Sequence, residues 1–147
     1  MSNDAAEFEI EAIALCDQVR HEISGKLILI GLYNDVIMVQ NLPAPLQFTV
    51  VPLVRAHKAG PFEVIVELRD QHGNSMLPQK ISATGLYTGE EGRSQWMPLP
   101  LPPFQMNLEG KYDVWVEFLG SAKQALTFEL RRAQPVVQMK KEPGAVH

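Results

Sequence analysis

A chain of 147 residues, 46% hydrophobic and 20% charged, has the length and apolar content of one globular domain with a real core. Its 13 basic and 17 acidic residues leave a net charge of −4, which argues against the broad positive field that a nucleic-acid backbone requires. One cysteine excludes an internal disulfide and a multi-cysteine zinc centre.

The chain opens on MSNDAAEFEI, acidic where a secretory signal would be basic. No run is long and apolar enough to span a bilayer, so a cytoplasmic location is expected. Glycine and proline then cut the sequence into short pieces. These predict strands near residues 7–15, 26–33, 46–56, 62–70, 78–87, 93–99, 111–119 and 124–132.

The stretch CDQVRHEISGKLILIGLYNDV holds Cys16, Asp17 and His21, which raises the question of a nucleophile and its base. No cysteine-enzyme signature surrounds Cys16, and a lone cysteine after IAL reads as a small buried apolar group. Ile13, Cys16, Val19 and Ile23 lie near helical spacing, which also allows a short helix over residues 16–23. KLILIGL is apolar on both faces, which suits a central strand, with Gly31 marking a bulge. Lys26 and Asp17 are expected to pair across the connection.

Further on, NLPAP punctuates the chain and FEVIVELRD alternates cleanly. Phe62, Val64, Val66 and Leu68 face one way and Glu63, Ile65, Glu67 and Arg69 the other. DQHGN, Asp70 to Asn74, carries the residues of a hairpin turn. PLPLPPF has four prolines in its first six residues and cannot be a central strand. It is expected to bridge two sheets, with its leucines and Phe104 covering an open end; a polyproline helix docking an aromatic groove is the alternative.

KYDVWVEFLG and ALTFELR repeat the period of two. Tyr112 follows Gly110 at a strand start, where immunoglobulin-like domains place a tyrosine whose hydroxyl bonds back to the backbone. From Ala133 onward the alternation is lost, so residues 1–132 form the domain and 133–147 a flexible tail. The fold class is all-β: an antiparallel, immunoglobulin-like β-sandwich of about seven to eight strands.

The histidines, His21, His57, His72 and His147, form no HxH or HExxH pair. Asp70 with His72, and Asp17 with His21, share loops whose polar turn chemistry explains them without a metal. Glu90 and Glu91 sit in a glycine-flanked turn, and SGK lacks the rest of a Walker motif. No catalytic, metal or cofactor-binding residue is therefore assigned.

What faces outward carries the functional reading. Ile65, Trp115 and Leu119 lie on the side of their strands opposite the core and form the candidate partner surface. This points to a non-catalytic protein-interaction or self-association module, with a homodimer as the simplest version. The alternative is a sandwich that binds a small molecule or glycan and carries weak hydrolase activity, with Tyr87, Trp96 and the Glu90–Arg93 loop as contacts.

A small residue with Asp, a short gap, GK, an apolar strand with its glycine, a proline loop, then LRDQHG and EGKY follow in order. This order resembles a family of small uncharacterised bacterial proteins, a domain of unknown function with a predicted immunoglobulin-like β-sandwich. The resemblance covers roughly residues 5–132. It implies that fold and a bacterial, cytoplasmic origin, and it carries no catalytic residues to transfer. In that family a small residue such as alanine usually fills position 16, so Cys16 departs from the pattern, which counts against a shared thiol chemistry.

Overall fold

A computed structural model describes residues 5–77 and 80–133. Twelve strands and no helix form among these residues. They are β1 (Glu7–His21), β2 (Leu27–Leu32), β3 (Val36–Val39), β4 (Ala44–Leu46), β5 (Thr49–Lys58) and β6 (Gly60–Asp70). β7 (Ile81–Tyr87), β8 (Arg93–Trp96), β9 (Leu99–Pro100), β10 (Phe104–Met106), β11 (Gly110–Phe118) and β12 (Ala122–Arg132) complete the set.

One sheet runs β2-β1-β5-β8, with β9 also on β5; the other runs β3-β12-β11-β6-β7. β4 and β10 form a separate pair. All pairings are antiparallel except β12 with β3. The all-β, antiparallel expectation is met. The strand number exceeds it because short β4, β9 and β10 form around the prolines and Val36–Val39 forms β3 beside β12.

Alternation explains why the two sheets close on each other. Val64, Val66 and Leu68 of β6 stand beside Phe118, Val116 and Val114 of β11 and are fully or almost fully buried. Phe128 and Leu130 of β12 extend the same face. From the other sheet, Phe8 of β1 enters this layer and meets Phe62, Tyr87 and Phe118 at centroid distances of 5.3, 5.9 and 4.6 Å. Each such fully buried side chain contributes about 1.5–3 kcal/mol. The Ser121 hydroxyl, in the β11–β12 turn, donates to the Phe8 carbonyl at 2.9 Å and ties the sheets together at that end.

The proline segment bridges as expected. Leu99, Leu101 and Phe104 are buried, and Phe104 meets Phe48 edge-on at 5.3 Å. Tyr112 also behaves as its position implies: its hydroxyl donates to the Leu108 carbonyl at 2.5 Å while its ring stacks on Phe128. In the turn after β6, Asp70 accepts from the amides of His72 and Asn74, both at 2.9 Å, and Gly73 takes a φ of 82°. Pro78 and Gln79, the expected start of the next strand, lie outside the described residues, as does the 134–147 segment assigned to a tail.

The opening stretch departs from expectation in four ways. β1 continues as strand to His21, so no helix forms over 16–23; pairing with β2, which runs from Cys16 to His21, overrides the helical spacing. KLILIGL supplies β2, an edge strand rather than a central one. Cys16↔Leu32 and Gln18↔Ile30 keep one register across Gly31, so no residue is inserted there despite its φ of 69°. Asp17 accepts a hydrogen bond from the Tyr33 hydroxyl, and no Asp17–Lys26 ion pair forms among the described residues.

Candidate functional site

Cys16 is fully buried, yet it stands opposite Thr49 on the face of β1 away from Leu15 and Val50, outside the main core. Its sulfur lies 4.0 Å from the Thr49 carbonyl. Burial, and then the adjacent Asp17 charge, push its thiol pKa up. A nucleophile requires the opposite shift. Burial first, then the Asp17 carboxylate, also raise the Tyr33 phenol to about 12. Cys16 and Tyr33 therefore hold their protons.

Among the described residues no three histidine, cysteine or carboxylate side chains gather as metal ligands would. His57 Nε2 lies 3.1 Å from Glu9 Oε2 at the surface, and His72 sits in the β6–β7 turn. His147 lies outside the described residues. Glu90 pairs with Arg93 at 2.5 Å, and Glu91 reaches the Ala59 amide at 3.5 Å. These contacts hold a turn.

Ile65, Trp115 and Leu119 do share one face, the outer side of the sheet containing β6 and β11. Trp115 is opposite Glu67, Glu117 is opposite Ile65, and the Leu119 amide donates to the Glu63 carbonyl at 3.0 Å. Trp115 is half-buried, with the Lys123 ammonium 5.1 Å from its ring centroid. Next to it Glu67 bonds Arg69 and lies 3.1 Å from Lys80. Burial works to raise the Glu67 pKa, but bonds from Lys80 and Arg69 outweigh it and hold the carboxyl below its ordinary value. This face is an ion-laced surface around one tryptophan.

Tyr87 and Trp96 do not share a face. Tyr87 is buried against Phe8 and its hydroxyl donates to the Glu90 carbonyl at 2.6 Å. Trp96 is 40% exposed on β8, opposite Leu53.

A polar group absent from the sequence reading gathers beside β8. Glu11 is the extra residue where the β1–β5 register shifts between Ile10 and Ala12. Its carboxylate lies 3.1 Å from the Arg55 guanidinium and accepts from the Ser94 hydroxyl, while Arg55 also donates to the Gly92 carbonyl at 3.2 Å. The Ser94 hydrogen bond, helped by Arg55, holds Glu11 below its ordinary pKa. The group pins the bulge to the β7–β8 loop.

Among the described residues, exposed apolar side chains gather on the β1–β2 hairpin. β5 accompanies β1 only as far as Cys16, so Asp17–His21 pairs with β2 alone. That ribbon of five residues extends roughly 17 Å. It carries Leu27, Ile28, Leu29, Ile30 and Leu32 in one strand, with Ile28 at 41% and Leu32 at 60% exposure. Ile23, at its tip, is fully exposed. A two-stranded ribbon with apolar residues on both faces is marginal in water on its own. At its inner end opens a recess of about 280 Å³, lined in part by Ile13, Leu32, Tyr33, Asp35 and Phe128.

No helix of the described residues is long and apolar enough to cross a membrane. No curated protein matches the chain. Among solved structures it is similar to a β-glucosidase from Listeria innocua, crystallised in complex with isofagomine, at 13% identity and a TM-score of 0.42. The similarity covers 87% of this chain but 16% of that one. Residues 11–131 match the family model DUF6941, and the chain belongs to this family of unknown function.

Proposed function

We propose that this chain is a non-catalytic protein-interaction or self-association module that binds its partner through the free edge of β2. The supporting observation is the exposed apolar strand itself: six residues, no charge and no proline, open along one side among the described residues. Edge strands of this kind add a strand from a partner, main chain to main chain, with side-chain pockets supplying selectivity. The ion-laced face around Trp115 serves as a secondary contact or as a solvated surface, since its charges already have partners.

The non-catalytic part of the reading rests on Cys16, whose environment opposes thiolate formation. An immunoglobulin-like sandwich, a bacterial origin and a cytoplasmic setting belong to the same proposal, supported by the Tyr112–Leu108 bond and by the single unpaired cysteine. The test is a photo-crosslinking amino acid placed in living cells at Ile28 and, as a control, at Ser82 on β7. Protein adducts specific to position 28 are expected. Their absence, with the protein folded and abundant, defeats the reading.

A further inference from the structure

The edges of the two sheets differ in how they discourage pairing. β8 and β9 have four and two residues and are separated by Pro98. β3 has four residues. β7 is longer and has one exposed apolar residue, Leu86, but its centre is Ser82, Ala83, Thr84 and Gly85, with little area to bury. β2 has none of these devices, neither a charge, a proline nor an inserted residue.

We infer that the occupant of this edge is a second copy of the chain, with the two β2 strands antiparallel about a two-fold axis normal to the sheet. The inference rests on the interaction reading above and names its partner. Three features make the edge complementary to itself. Arg20 and Lys26 lie at the end of β2 nearest the hairpin tip, and neither is in an ion pair among the described residues; Glu22, beside Lys26, leaves that end with one net positive charge. Asp17 and Asp35 lie at its other end. A two-fold reverses one strand against the other, so the basic end of each copy meets the acidic end of its mate, twice. A parallel pairing would set like against like.

The second feature is register. A two-fold keeps each face of the sheet continuous, so paired positions must share a face. An axis at Ile30 sets Ile28 opposite Leu32 of the second copy, joining the two exposed apolar residues of the strand. The same register places Lys26 opposite Asn34 and Gly25 opposite Asp35. The third feature follows from it. The tip carrying Ile23 arrives over residues 34–36 of the second copy, beside the recess that Leu32, Tyr33, Asn34 and Asp35 help to line. An exposed apolar knob and an open apolar recess thus sit one strand-length apart on the same hairpin.

The contact is small, so association on the order of micromolar is expected. Light scattering on the full chain, from about 1 to 200 µM, should show the mass rising from 16.4 kDa towards twice that value. Ile28→Lys, at an exposed position, should weaken the dimer by about tenfold or more while leaving the far-ultraviolet spectrum unchanged. Ile23→Ser, in the turn, should weaken it by a smaller factor without touching the strands. Trp115→Ala should leave it intact.

A wild-type chain that stays at 16.4 kDa throughout overturns the second copy. So does a dimer that survives both hairpin variants and is lost with Trp115→Ala. Adducts at position 28 to a different protein, from a monomeric chain, overturn self-pairing but leave the interaction reading standing. No adduct and no dimer sink both.

Discussion

Asp17 and Gly31 face each other across the β1–β2 hairpin so closely that a β-carbon on residue 31 would lie 2.2 Å from Asp17 Oδ2. Gly31 also takes a φ of 69°, where other residues are strained. Two separate penalties therefore fall on Gly31→Ala. Gly25, in the tip of the same hairpin, has a φ of 89°, and a β-carbon added there would meet nothing within 4 Å, so Gly25→Ala incurs only the first. Urea unfolding should show Gly25→Ala losing about 1 kcal/mol and Gly31→Ala about 2–4 kcal/mol. Adding Asp17→Ala to Gly31→Ala should recover part of the difference. Equal losses at both glycines would show that the Asp17 contact does not matter.

The Tyr112 hydroxyl bonds the Leu108 carbonyl while its ring is buried on Phe128. Tyr112→Phe keeps the ring and removes the donor, leaving a carbonyl that must find water in a small recess beside Asp70 and His72. A loss of about 1–2 kcal/mol in unfolding free energy is expected, with the strand content unchanged. A neutral substitution would reduce the tyrosine to packing alone.

Much of this fold is legible in the sequence, and the reasons are local. FEVIVELRD, KYDVWVEF and ALTFELR alternate because each strand has one buried and one solvated face, and they form β6, β11 and β12. VIMV is not legible: four apolar residues without alternation carry no period to read, and only pairing with β12 makes them β3. Apolarity on both faces of KLILIGL signals cover but not its source, so a bare edge reads in sequence like a sheet centre. The Glu11–Arg55–Ser94 group is illegible for another reason. Its members are 44 and 83 residues from Glu11, and only the register of β1, β5 and β8 brings them together.

Glu67 gives the sheet beneath Trp115 a pH dependence. Its carboxyl is held below the ordinary 4.5 by Lys80 and Arg69, against the opposing effect of burial. A depressed value means that the ionised form stabilises the fold. That contribution is complete above the unfolded value and is lost as pH falls through the folded one. Unfolding free energy measured from pH 7 to pH 3 should therefore drop below about pH 4.5, and Glu67→Gln should flatten part of the drop. Lys80→Ala should flatten it less, because Arg69 remains. An identical acid limb in Glu67→Gln would assign the effect elsewhere.

Cys16 closes the question that its neighbours Asp17 and His21 open. Burial and the Asp17 charge raise its pKa above the ordinary 9.0, so the thiolate is scarcer in the folded chain than in the unfolded one. Iodoacetamide at pH 7.5 should label the native protein far more slowly than the same protein in urea, since both access and ionisation favour the unfolded state. The sign of the alkaline limb follows. A raised value stabilises fully below 9.0, and the benefit is lost as pH rises from there through the folded value, so unfolding free energy should decline above about pH 9. Tyr33 and Tyr112 are raised too and add to the decline, so the Cys16 share is the part that Cys16→Ala removes. That variant should lose about 1 kcal/mol at neutral pH from the small cavity. It should also keep any partner binding of the wild type, because the thiol sits beneath the surface rather than on it. Rapid labelling of the folded chain would instead mark an open, activated sulfur and restore the catalytic reading.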